Sequence, residues 1–147
     1  MKVIYEKESD LDMDGENDII SVAKPKEQDV RNFDLEISVY RMVNGEAFLW
    51  QQNTLMFKDP IKGCMMEGLE DITLSEGGFA VEYTSCYDNK FVRRYVSFSY
   101  DSQTDDFKVI KNTILFYDPE SDNTDRTLDC RDNEYLFSSY DGSCEWW

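Results

Sequence analysis

The sequence predicts a mainly β fold, an antiparallel meander forming a curled sheet or small sandwich in a single domain. Three observations carry that expectation. The chain holds nine Phe, nine Tyr and three Trp in 147 residues, while Ala occurs only at Ala23, Ala47 and Ala80; aromatic side chains favour a pleated surface. Short segments alternate polar and apolar residues with the period of two that marks a half-buried strand, most cleanly Asp34-Leu35-Glu36-Ile37-Ser38-Val39-Tyr40. Between such segments stand turn pairs that suit hairpins, such as Asn44-Gly45 and Gly77-Gly78. A chain of 147 residues fits one domain and is long enough to bury a core.

Taken in order, Lys2–Glu6 reads as a first strand with Val3 and Tyr5 on one face. The acidic stretch Asp10–Asp18 leads into a second strand, Asp18–Ala23. Pro25 then bars further pairing, because it has no N–H to donate. Leu35, Ile37 and Val39 line one face of the third strand, and Asn44-Gly45 turns it into Ala47–Gln52. Asn53 turns the chain into a further strand, Thr54–Phe57. A loop from Asp59-Pro60 to Gly68 contains Met65 and Met66, expected to fill gaps in the core. Asp71–Ser75 and Phe79–Thr84 make a hairpin, and Lys90–Tyr100 is the longest strand. On it Val92, Arg94, Val96, Phe98 and Tyr100 share one face, and Phe91, Arg93, Tyr95 and Ser97 the other. Arg93 and Arg94 are expected to pair with carboxylates; an anion or substrate role is the alternative. Phe107–Ile110 and Thr113–Tyr117 are read as two further strands. The segment 118–147 is acidic and contains cysteines and aromatic residues. Its start, with Asp118, Glu120, Asp122 and Asn123, is either a degenerate second acidic loop or a solvated connection. Its tail, with Tyr135, Phe137, Tyr140, Trp146 and Trp147, is expected to pack onto the sheet; exposed, it would be a partner-binding patch.

The clearest chemical pattern is Asp10-Leu11-Asp12-Met13-Asp14-Gly15-Glu16-Asn17-Asp18. A calcium loop of the EF-hand type supplies carboxylates at its first, third and fifth positions, Gly at the sixth, a carbonyl at the seventh and a ligand at the ninth. Those positions fall on Asp10, Asp12, Asp14, Gly15, the backbone carbonyl of Glu16, and Asp18. The twelfth, which needs a bidentate carboxylate, falls on Ser21, so the second half departs from the EF-hand. The other reading of the stretch is a solvated acidic turn, since Asp also favours tight turns.

A loop of this form that feeds a strand resembles the Asp-x-Asp-x-Asp-Gly-x-x-Asp loop of FG-GAP and integrin-like repeats. The resemblance implies that Asp10, Asp12, Asp14, Glu16 and Asp18 hold Ca2+. More broadly, the strands that follow look like small bacterial envelope proteins that begin with one such loop and continue as a β meander. One good loop does not make a propeller.

The net charge of −16 argues against nucleic-acid binding, because phosphate affinity needs clustered Lys and Arg, and against an anionic membrane surface. It suits solubility alone or a basic partner met through electrostatic steering. No apolar run reaches the length of a membrane-spanning helix. Cys64, Cys86, Cys130 and Cys144 lack CxxC spacing. They fit two disulfides, Cys64–Cys86 with Cys130–Cys144 being favoured by sequence order among three pairings, or four reduced thiols. With no His in the chain, Ser-His-Asp and Cys-His sites are excluded, as are the ordinary zinc hydrolase sites; a structural zinc would require all four scattered thiols.

The expected function is therefore non-enzymatic: a periplasmic or extracellular interaction protein, its export signal already removed. It would act as an acidic immunity or inhibitor protein that neutralises a basic secreted toxin or hydrolase. The alternative is a calcium-stabilised structural or adhesive envelope module of FG-GAP type. A third reading uses Trp50, Trp146 or Trp147 as sugar platforms.

Overall fold

The computed structural model describes residues 2–24, 35–57, 68–87, 90–117, 124–129 and 135–142. Among the described residues nine strands follow one another: β1 (Lys2–Ser9), β2 (Asp18–Lys24), β3 (Glu36–Val43), β4 (Glu46–Asn53), β5 (Gly68–Ser75), β6 (Gly78–Tyr87), β7 (Lys90–Asp101), β8 (Asp106–Tyr117) and β9 (Thr124–Asp129). A short 3-10 turn, Phe137–Ser139, follows them. The strands form two antiparallel meanders, β1-β2-β3-β4 and β5-β6-β7-β8-β9, each in chain order. The expected mainly β, antiparallel meander is thus a two-sheet sandwich.

One core lies between the sheets. Ile20, Val22, Ile37 and Val39 meet Ile72, Phe79, Val81, Val96 and Phe98, all buried. The sequence alternation places them there, because successive strand residues point to opposite faces. At one edge the sheets are joined by Tyr5, whose hydroxyl donates to the Ile72 carbonyl at 2.7 Å. Inside the sandwich Phe137 meets the rings of Phe79 and Phe98 edge-on, both with centroids 5.2 Å away, the arrangement that aromatic quadrupoles favour.

Three elements depart from the sequence expectation. Residues 54–57 form a turn rather than a strand. The buried Asn53 Oδ1 accepts the N–H groups of Leu55 and Met56 at 3.0 and 2.8 Å, taking donors that a strand would have offered to a neighbour. Phe107–Ile110 and Thr113–Tyr117 belong to one strand, β8. Its register against β7 slips between Val109 and Lys111, leaving Ile110 as an unpaired extra residue; such a bulge breaks the alternation while the ladder continues. Finally, β9 pairs along β8 from Thr113↔Asp129 to Tyr117↔Thr124, although its own residues show no alternation.

The described part of the tail, residues 135–142, packs onto the sandwich. Asn53 Nδ2 donates to the carbonyls of Phe137 and Tyr140 at 2.6 and 2.7 Å. Asp106 accepts from Ser138 Oγ. Arg94, expected beside a carboxylate, turns inward and donates to the Gly142 carbonyl at 2.6 Å and the Tyr140 hydroxyl at 3.1 Å. Burial pushes the Tyr140 hydroxyl pKa up, which keeps it neutral beside that guanidinium. Arg93 does meet a carboxylate, Glu82, at 3.5 Å. Met65, Met66, Trp146 and Trp147, the acidic run 118–123 and the side chains of all four cysteines lie outside the described residues, as do the disulfides expected of them.

In each meander the β1–β2, β3–β4, β5–β6 and β7–β8 turns project from one end. The end is tied together: Gly77 N–H donates to the Asp10 carbonyl at 3.0 Å, and Tyr100 N–H to the Gly77 carbonyl at 2.8 Å. Gly78 permits this closeness, because a Cβ there would lie 2.2 Å from the Phe98 carbonyl oxygen.

Candidate metal centre

The acidic loop joins β1 to β2 at this end. The loop's two apolar side chains part company: Leu11 is fully buried in the core, while Met13 is exposed. The backbone turns through left-handed conformations at Met13, with φ 62°, and Gly15, with φ 96°. Gly tolerates that geometry without strain.

The carboxylates fix the loop by accepting its own amides. Asp10 accepts from Asp14 and Gly15 at 3.1 and 2.8 Å, and Asp14 accepts from Glu16 at 2.9 Å. Asp18, fully buried at the start of β2, accepts from Leu11 with one oxygen and from Met42 on β3 with the other, both at 3.0 Å. One oxygen from each of Asp10, Asp12, Asp14 and Asp18 lies within 4.8 Å of the others. A carboxylate oxygen has two acceptor sites, so the amide bonds leave lone pairs for a cation. These four residues could hold a metal ion. The set is all oxygen and anionic, which suits hard cations.

The cluster brings together four of the five predicted ligands. The fifth, Glu16, was expected to contribute its backbone carbonyl; its carboxylate is not among the clustered groups. Burial and the neighbouring Asp18 charge push the Asp12 carboxyl pKa up to about 6. Arg41 Nε lies 3.2 Å from Asp12 Oδ2, an ion contact without hydrogen-bond alignment. Burial and the Asp18 charge outweigh that contact, because the guanidinium commits its aligned donor elsewhere: Nη2 reaches Asp105 Oδ1 at 2.6 Å. The bond from Arg41 holds the Asp105 carboxyl below the usual range.

Sequence reasoning missed this support. Arg41 continues the inward phase of Leu35, Ile37 and Val39, so a charge at that position was the available signal. Trp50 was not separable from the solvent-facing residues of β4, because a bulge leaves it as the extra residue between Leu49 and Gln51. The bulge turns it inward, where Nε1 donates to the Asp105 carbonyl at 3.0 Å. Arg41 stacks 3.7 Å above its ring, and Tyr100 and Phe107 flank it with centroids at 5.4 and 4.9 Å. Its ring therefore serves the protein's own packing. Among the described residues no helix is long and apolar enough to cross a membrane. No protein-family model, curated protein or solved structure matches the chain.

Proposed function

We propose that the Asp10–Asp18 loop binds Ca2+ and that the chain is a calcium-stabilised, non-catalytic module acting through protein contacts. The convergence of four Asp carboxylates within 4.8 Å carries the reading. Calcium takes six to eight oxygens in a flexible shell, whereas magnesium demands a tight octahedron. A loop offering four carboxylates and the Glu16 carbonyl, with space for water, suits the larger ion. Binding would offset repulsion among acids of which Asp12 alone, among the described contacts, meets a guanidinium, and would fasten the β1–β2 turn to β3 and to the β5–β6 turn. The loop runs directly into β2, which supports the resemblance to FG-GAP repeats.

The partner is read from charge. At −16 the chain suits a basic protein, met through a fast, salt-sensitive encounter. An envelope immunity or inhibitor protein that neutralises a basic toxin or hydrolase has this profile.

Calorimetric titration of the full chain with CaCl2 tests the ion. One site of micromolar to millimolar affinity is expected, with stability rising by about 2.7 kcal/mol at a hundredfold excess over the dissociation constant. Asp12→Ala and Asp14→Ala should abolish both effects. Absence of heat and of any thermal shift in the unsubstituted protein would reduce the loop to a solvated turn.

A further inference from the structure

We propose that the turn end of the sandwich is the docking face for the basic protein, with Phe48, Val43 and Met13 as its apolar anchors. The proposal rests on the reading of a basic protein partner and names the surface that meets it. Phe48 stands opposite Arg41 across the β3–β4 ladder, so the two share a face. Val43, two residues beyond Arg41, shares it as well. Phe48 is 52% exposed, Val43 42% and Met13 68%. Three large apolar side chains exposed at one end make an unusual surface for a chain this polar. β4 is also an edge strand, and an edge offers unpaired backbone groups to a partner.

Charge selects the occupant. The four turns contain no Lys or Arg, while Asp14, Glu16, Glu76 and Asp105 within them are exposed, with Glu46 beside the hairpin tip. Arg41, which reaches into this end, is engaged by Asp105 and Asp12. A second copy of this chain would bring the same acidic rim and the same −16, so like charges oppose self-association. A surface with Lys and Arg around an apolar patch meets both the anchors and the rim. One bound calcium cancels only two of those charges, so the preference holds with the loop loaded.

The probe is a cationic strand peptide alternating Lys with Val and Phe, titrated at low salt into the 15N-labelled, calcium-loaded full chain. Amide shifts should concentrate at residues 13–16, 43–49 and 76–77. Phe48→Ser, which leaves the charge unchanged, should weaken binding about tenfold, as removal of a central anchor does. Ile110→Ser, at an exposed apolar position on β8, should leave it unchanged, and unaltered melting curves would show both variants folded. Shifts centred elsewhere, or a Phe48→Ser variant that binds normally, would overturn this surface and leave the basic-partner reading standing. No binding by the unsubstituted chain would overturn both. A concentration-dependent dimer abolished by Phe48→Ser would make the occupant a second copy and overturn the choice of partner.

Discussion

Asp12 is held largely out of water and against the charge of Asp18. Its folded pKa of about 6 lies above the ordinary Asp value of about 3.9. Between those values the folded state binds more protons than the unfolded one. Its contribution to stability is therefore present below about pH 4 and lost as pH rises through about 6. In chelator, Asp12→Asn should raise the melting temperature at about pH 7 and change it much less at about pH 4. With calcium present, the same variant should lose the stabilisation that the ion gives the unsubstituted chain. Melting curves at the two pH values, with and without calcium, check both halves. A variant less stable than the parent in chelator at neutral pH would show that Arg41 outweighs the repulsion. The ligands themselves were legible because they are contiguous. Arg41 and Asp105 were not, since the residues of that pair are 64 positions apart and only the packing of two sheets brings them together.

The elements show the same division. Alternation identified β3 and β7, whose apolar residues keep one phase, while β2 was legible as a short apolar run. It failed at β8, where the Ile110 bulge resets the phase, and at β9, which owes its existence to the edge that β8 presents. Asn53 explains another failure. A polar residue at a strand end reads as a turn signal, but here its amide does more: two hydrogen bonds join β4 to the tail and two fix the turn that follows the strand. Replacing it would orphan two buried carbonyls and two amides, each costing roughly 1–3 kcal/mol if unmet. Asn53→Ala should destabilise the protein by about 3 kcal/mol after water reaches some of these groups. Urea unfolding would measure it, and a loss below about 1 kcal/mol would mean that the tail is held without this joint.

For the molecule as a whole, the acidic excess that made the composition so readable opposes compaction. Like charges held within one small sandwich repel, and salt screens them over roughly 10 Å at 0.1 M. In chelator, the melting temperature should rise between low and physiological ionic strength; with calcium the rise should be smaller, because the ion already cancels two of the negative charges. A melting temperature that falls with salt would mean that ion pairs such as Arg41–Asp105 outweigh the general repulsion. Composition could anticipate this balance, but not the gathering of four turns at one end, which follows from two meanders stacking in a common direction.

The position of Phe137 and Tyr140 has a consequence for the protein's synthesis. Both are fully buried between sheets whose nine strands all precede them in the chain. A ribosome delivers residues from the N-terminus onward, so each hairpin can zip as it emerges, whereas the centre of the sandwich must wait for its last pieces. During that interval Phe79, Phe98 and Phe107 lack the ring that later covers them. Incomplete chains with such apolar surface uncovered are prone to aggregate. Translation stalled anywhere before Phe137 would therefore leave an open sandwich dependent on chaperones.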